Sequence, residues 1–303
     1  MNRGYFLELL RALAEIRTPF LNWLFHALTY LGDEQVIILV MCLCFWCISK
    51  EVVYKTGIAF FISGLAVQGA KIMFRVERPW VYDSSFSPVG YSTETATGYS
   101  FPSGHTQAGT ALWGTLGVIV KSLPFKIFCF SAVLIVAFTR LYLGVHFLAD
   151  VLFSLGFTFA VIFLVTWFWK GELSKKREKI IVAIMLGFSA LTIVYAFNRH
   201  NAGIIEASYL RDALIAAGAC AGFGVGMYME RNFINFSVKT TKLYWQIPKF
   251  IGGLLGVAAI MALYPVIIGR GLALDTIRYF LLLLWVTVFY PIIIKYGMKK
   301  IIQ

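Results

Sequence analysis

FKIFCFSAVLIVAFTRLYLGVHFLADVLFSLGFTFAVIFLVTWFW, residues 125–169, decides the fold. It contains two apolar runs, 125–144 and 147–169, each long enough as a helix to cross a hydrocarbon layer about 30 Å thick. Apart from Lys126, its only charged or imidazole side chains are Arg140, His146 and Asp150, and they collect at the turn between the runs. Two membrane-length helices that meet at a polar turn define an all-α, polytopic membrane protein.

The pattern extends in both directions. Comparable runs lie near 35–49, 56–74 and 105–121 on one side, and near 179–198, 209–229, 248–268 and 272–295 on the other. Residues 19–31, with Trp23, His26 and Tyr30, fit a first tilted span lengthened by residues 5–18 or a helix lying in the interface; the span is the favoured reading and brings the expected count to ten. Composition agrees: 59% of the 303 residues are hydrophobic and only 14% charged, too little charge for a soluble domain of this size.

The net charge of +12 does not point to nucleic acid, because no soluble basic domain carries it. Threading ten spans from a cytoplasmic N-terminus puts nineteen Lys and Arg residues inside and eight outside, an excess that reads as topology. The five cysteines lie within apolar runs and are read as small buried residues rather than a metal or redox site. The N-terminal twenty residues lack a small-residue cleavage pattern, so no signal peptide is expected.

Two polar breaks organise the chain. Residues 75–103 carry Pro79, Pro88, Gly90 and Gly98 and form a loop whose aromatics (Trp80, Tyr82, Phe86, Tyr91, Tyr99, Phe101) suit the headgroup level. Residues 170–179, KGELSKKREK, separate a six-helix core, 1–170, from a four-helix extension, 171–303.

Three segments hold the candidate chemistry: Lys71-x6-Arg78-Pro79, Pro102-Ser103-Gly104-His105 and Arg140-x5-His146-x3-Asp150. Threaded as above, all three fall on the non-cytoplasmic face. Single cations at span ends are commonly snorkelling anchors. Three cations, two imidazoles and a carboxylate converging on one face call for an anion. Pro102 to His105 opens a helix, where unpaired backbone N–H groups favour an oxyanion, and Gly104 admits close approach. His146 and Asp150, four apart on one helix face, form a carboxylate-supported imidazole suited to nucleophilic attack. Lys71, Arg78 and Arg140 can neutralise a phosphate dianion.

These segments resemble the three-part signature of the type 2 phosphatidic acid phosphatase superfamily over roughly residues 20–170. The resemblance implies a metal-independent, cofactor-free phosphatase with a six-helix membrane core. It further implies that His146 attacks phosphorus to give a phosphohistidine, supported by Asp150. His105 protonates the leaving alkoxide and then activates water. Lys71, Arg78, Ser103, Gly104 and Arg140 hold phosphoryl oxygens. The family usually has Ser before the arginine of the third motif; here Thr139 stands there and keeps the hydroxyl. The extension, 171–303, lies outside the family core and gains no role from it.

The expected activity is hydrolysis of an amphiphilic lipid phosphate monoester or diphosphate that enters from the bilayer. The expected location is the bacterial inner membrane, with the site on its periplasmic face. A lipid phosphotransferase using the same phosphohistidine is a second reading. A non-enzymatic transporter or scaffold is a third, opposed by the complete set of site residues. A vanadium-dependent oxidase is disfavoured by the membrane setting. Gly218, Gly222 and Gly226 offer a close-packing face within 209–229, for a helix of this chain or for a homodimer. His200 is read as a solvated loop residue. Glu77, Asp83 and Glu94 are read as loop salt-bridge or gating partners, not metal ligands.

Overall fold

The computed structural model describes residues 3–94, 96–239 and 242–297; Lys299 and Lys300 of the charge count lie outside them. The protein is all-helical. Its longer helices are α1 (Arg3–Glu15), α2 (Pro19–Thr29), α3 (Glu34–Cys47), α4 (Lys50–Phe74), α5 (104–119), α6 (Leu123–Tyr142), α7 (Leu148–Phe168), α8 (Lys175–Asn201), α9 (Ala207–Met229), α10 (Gln246–Ile267) and α11 (Leu272–Leu284). Helix starts follow local chemistry. Thr18, Ser103 and Ser174 cap α2, α5 and α8 through their hydroxyls, and Pro19 occupies the first turn of α2.

Seven helices among the described residues are long and apolar enough to cross a membrane, eight if α2 and α3 count as one bent pair. The expected ten therefore needs correction. α2 has eleven residues, about 16 Å of helix, and cannot cross alone. It meets α3 at a 48° bend, so residues 19–47 make at most one broken crossing where two were expected. α5 has sixteen residues and falls just short of the length of its neighbours, because Val120 is extended and Pro124 follows closely.

The chain forms two compact units, residues 1–37 with 66–164, and residues 38–65 with 165–303. In the first, α1 and α2 pack against the end of α6. Leu7 and Leu10 bury against Phe86, Ala137, Leu141, Phe147 and Val151. Asn22 accepts a hydrogen bond from the Tyr142 hydroxyl at 3.0 Å, and the Phe25 ring packs on that of Tyr142 at 4.3 Å between centroids, tilted by 44°. The loop 75–103 is pinned to the same end. Val89 N–H donates to the Leu143 carbonyl at 3.0 Å, Arg17 to the Ser87 and Tyr142 carbonyls, and Arg11 pairs with Asp83 at 3.1 Å. Phe86, expected at the headgroup level, is buried, while Tyr82 and Tyr91 are exposed.

In the second unit, the glycine face of α9 is filled by α11 and by the π-helical turn Trp285–Phe289 that follows it. A Cβ at Gly218 would run into the Thr276 carbonyl, at Gly222 into that of Phe280, and at Gly226 into the Thr287 hydroxyl. The close packing read from the sequence is thus used within the chain. His200 closes α8, with Nδ1 at 3.1 Å from the Ile205 carbonyl, rather than lying in a loop.

Candidate active site

All eight singled-out residues lie in the first unit, at the end shared by α4, α5, α6 and α7. Lys71 is in the last turn of α4, and Arg75 closes that helix in a left-handed conformation (φ 48°). Arg78 is extended (φ −68°, ψ 154°), as a residue before proline should be. Its guanidinium is buried and held in place: Nε donates to the Gly98 carbonyl at 2.9 Å, Nη2 to Thr97 at 2.8 Å and Nη1 to Val145 at 2.8 Å. The backbone of the 75–103 loop thus aims this side chain.

Nη1 of Arg78 also lies 2.9 Å from Nε2 of His146. A guanidinium can only donate, so Nε2 accepts and carries the lone pair. The ring proton is then on Nδ1, which faces Asp150 Oδ2 at 3.4 Å. The same oxygen accepts from the Phe147 N–H at 2.9 Å and from the Ser100 hydroxyl, so the carboxylate is fixed before it meets the imidazole. The turn carrying His146 needs Gly144, whose φ is +76°. A Cβ there would stand 2.8 Å from the Phe86 ring and 2.7 Å from Arg17 Nη2.

His146 is buried, and burial pushes its pKa well below the ordinary imidazole value; the nearby charges of Arg78, Arg140 and Lys71 add to this. The shift favours the neutral ring, whose lone pair then lies on Nε2, the atom that Arg78 faces.

Arg140, in the last turn of α6, is fully buried. Nη1 donates to the Thr29 hydroxyl at 2.8 Å, whereas Nε and Nη2 have no hydrogen-bond partner among the described residues. Two buried guanidinium donors left unmet are costly unless an anion takes them. Thr139 turns its hydroxyl to Thr29 at 3.1 Å and to the Val136 carbonyl at 2.7 Å, so it steadies the residue that holds Arg140.

Ser103 caps α5: its Oγ accepts from the Thr106 N–H at 3.4 Å and lies 2.9 Å from the Thr106 hydroxyl. Gly104 and His105 precede the first backbone bond of the helix, Gln107 to Ser103 at 3.0 Å, so their N–H groups face outward. A Cβ at Gly104 would sit 3.8 Å from Lys71 Nζ, which places that amine beside the helix start. His105 Nε2 lies 4.0 Å from Asp33 Oδ2.

The structure thus brings the three motifs together. It adds Thr29, Asp33 and Ser100, which the sequence reading missed. The available signal for Asp33 was an acidic pair, Asp33-Glu34, following glycine between two apolar runs.

Comparison with known proteins bears on the family of the chain. The model of the PAP2 superfamily matches residues 52–173. A second, described as PAP2 superfamily phosphatase, transmembrane extension, matches residues 214–300. Phosphatidylglycerophosphatase B of Bacillus subtilis (strain 168) is 28% identical over 189 residues, spanning 56% of this chain and 85% of that protein. The crystal structure of a transmembrane PAP2-type phosphatidylglycerolphosphate phosphatase from Bacillus subtilis shares 25% identity at a TM-score of 0.47, over 55% of this chain and 87% of the other.

Proposed function

We propose that this chain, which belongs to the PAP2 superfamily, hydrolyses a lipid phosphate monoester or diphosphate through a phosphohistidine at His146. The observation that carries the reading is the line Asp150–His146–Arg78, which presents an unprotonated Nε2 beside the unmet donors of Arg140.

The steps follow from these contacts. Phosphoryl oxygens take over the donors of Arg78, Arg140 and Lys71, together with the N–H groups of Gly104 and His105 and the Ser103 hydroxyl. Arg78 turns from Nε2 to the anion, which frees the lone pair. Nε2 bonds to phosphorus as the P–O bond to the leaving alkoxide breaks, and His105 gives that oxygen a proton. Asp150 holds Nδ1–H and balances the positive charge on the phosphorylated ring. His105 then takes a proton from water, whose oxygen displaces Nε2 and releases inorganic phosphate. No step uses a metal.

Residues 1–170 would form this catalytic core and 171–303 an extension, in keeping with the separate family matches at 52–173 and 214–300. We place the site on the non-cytoplasmic face of a bacterial inner membrane. With α2 and α3 as one crossing, Arg3, Arg11 and Arg17 change sides, and nineteen cations against eight become sixteen against eleven. The bias survives because many cations of the smaller set have structural duties: Lys71, Arg78 and Arg140 line the site, and Arg211 and Arg278 pair with Asp275.

The test is phosphate release from phosphatidylglycerophosphate, phosphatidate, polyprenyl diphosphate, lipid A and sphingoid phosphates, with and without EDTA. The B. subtilis relative's name makes phosphatidylglycerophosphate the first substrate to try. Release from at least one lipid, undiminished by EDTA, is expected. Turnover only with an added acceptor would identify a transferase, and metal-restored activity a different mechanism.

The pH profile gives a second check. Attack needs neutral His146, so activity falls as pH drops through its lowered pKa. The acidic limb of kcat/KM is expected below the ordinary value of about 6.5. A limb at or above that value would remove His146 from the nucleophile's role.

A further inference from the structure

The residues that join α2 to α3 approach the active site closely. Leu31, through its carbonyl, accepts a hydrogen bond from Trp113 Nε1 at 2.8 Å, which ties the bend to α5. Gly32 lies against the same helix: a Cβ there would stand 2.7 Å from the His105 carbonyl oxygen. Only glycine lets the bend come this near. Asp33 follows at once, and its two carboxylate oxygens are divided. Oδ1 accepts from the Gln35 N–H at 2.9 Å and caps α3, while Oδ2 is turned to His105 Nε2 at 4.0 Å.

The charged and titratable groups facing His105 are Lys71 from α4, Arg78 from the loop, Arg140 from α6, His146 from the turn before α7, and Asp33. Asp150, the other carboxylate of the site, is committed to His146, Phe147 and Ser100. An imidazole that must hold a proton for the leaving group among three cations needs a negative neighbour.

We propose that Asp33 is a positioning residue for His105, so that the site contains two carboxylate–imidazole pairs, Asp150–His146 for attack and Asp33–His105 for proton transfer. The second pair is the more open of the two, with side chains 19% and 18% exposed against 3% and 2% for the first. That difference suits their tasks: the nucleophile is sealed, whereas the proton donor must reach the leaving group and then water. The inference rests on the reading of His105 as the proton donor. None of the three motifs includes Asp33.

Asp33→Asn tests this, because asparagine caps a helix as well as aspartate but carries no charge. The variant is expected to accumulate normally and to lose about tenfold in kcat at pH 8 with KM little changed. Its alkaline limb should move down by about one pH unit, the effect of removing one opposite charge at this distance. Asp33→Ser, also a capping residue without charge, should behave alike, and Asp33→Glu should recover part of the loss. A merely structural Asp33 would change yield or thermal stability and leave the limb in place; an unmoved limb in both uncharged variants overturns the inference. His105→Ala is measured in parallel. If it stays active, the proton-donor reading and this inference fall together. If it is dead while Asp33→Asn keeps the wild-type profile, only the inference falls.

Discussion

His146→Ala is expected to abolish phosphate release, with a loss on the order of 10⁴-fold or more, as when the nucleophile of a covalent mechanism is removed. The size of the effect follows from how much of the site converges on one atom. Arg78 reaches Nε2 at 2.9 Å, Asp150 holds the opposite edge of the ring, and Ser100 and the Phe147 N–H in turn hold Asp150. The other imidazole of the cluster, His105, has its Nε2 turned to Asp33 at 4.0 Å instead. Alanine leaves Arg78 anchored by Gly98, Thr97 and Val145, so the cradle persists and yield should be unaffected. Two measurements make the result specific. Brief exposure of wild type to labelled substrate followed by denaturation should trap an acid-labile, base-stable phosphoprotein, and the variant should trap none. Residual activity above about 1% of wild type, or trapped label in the variant, would mean that another group attacks phosphorus.

Why these residues were legible and others were not is a matter of range. Lys71, Arg78, Ser103, Gly104, His105, Arg140, His146 and Asp150 occur in short segments where spacing alone puts them at helix ends, and helix ends in a membrane are where charge can be held. Thr29, Asp33 and Ser100 act by contact across long separations: Thr29 lies 111 residues before Arg140, and Ser100 fifty before Asp150. Hydroxyls beside apolar runs carry no periodic signal that distinguishes a ligand of arginine from a solvated turn. The miscounted first span has a related cause. Residues 19–31 and 35–49 are both apolar enough to cross, but hydropathy does not record the 48° bend at Leu31 to Asp33, which depends on Gly32 fitting against His105. The glycine face of α9 was legible as a packing face. Which helix fills it was not, because Gly-x3-Gly specifies close approach and leaves the partner open.

Arg140→Lys should have the second largest effect, a fall in kcat/KM of about 10²- to 10³-fold, the usual cost of losing an oxyanion donor. Charge is conserved in this substitution, so the loss would come from geometry. Arginine divides its donors: Nη1 is held by Thr29 at 2.8 Å, and Nε and Nη2 remain for the substrate. Lysine offers one nitrogen, which can satisfy Thr29 or the phosphoryl group but cannot present a planar fork to two oxygens. The free enzyme also bears the cost of a fully buried guanidinium with two unmet donors, and a bound anion removes it. Vanadate, as a phosphate mimic, should therefore raise the thermal midpoint of the wild type and raise that of Arg140→Lys much less, because binding stabilises in proportion to occupancy and affinity. Near-normal kcat/KM in the lysine variant, with an undiminished vanadate shift, would reduce Arg140 to a structural tie between α6 and Thr29. The unmet donors would then need another explanation.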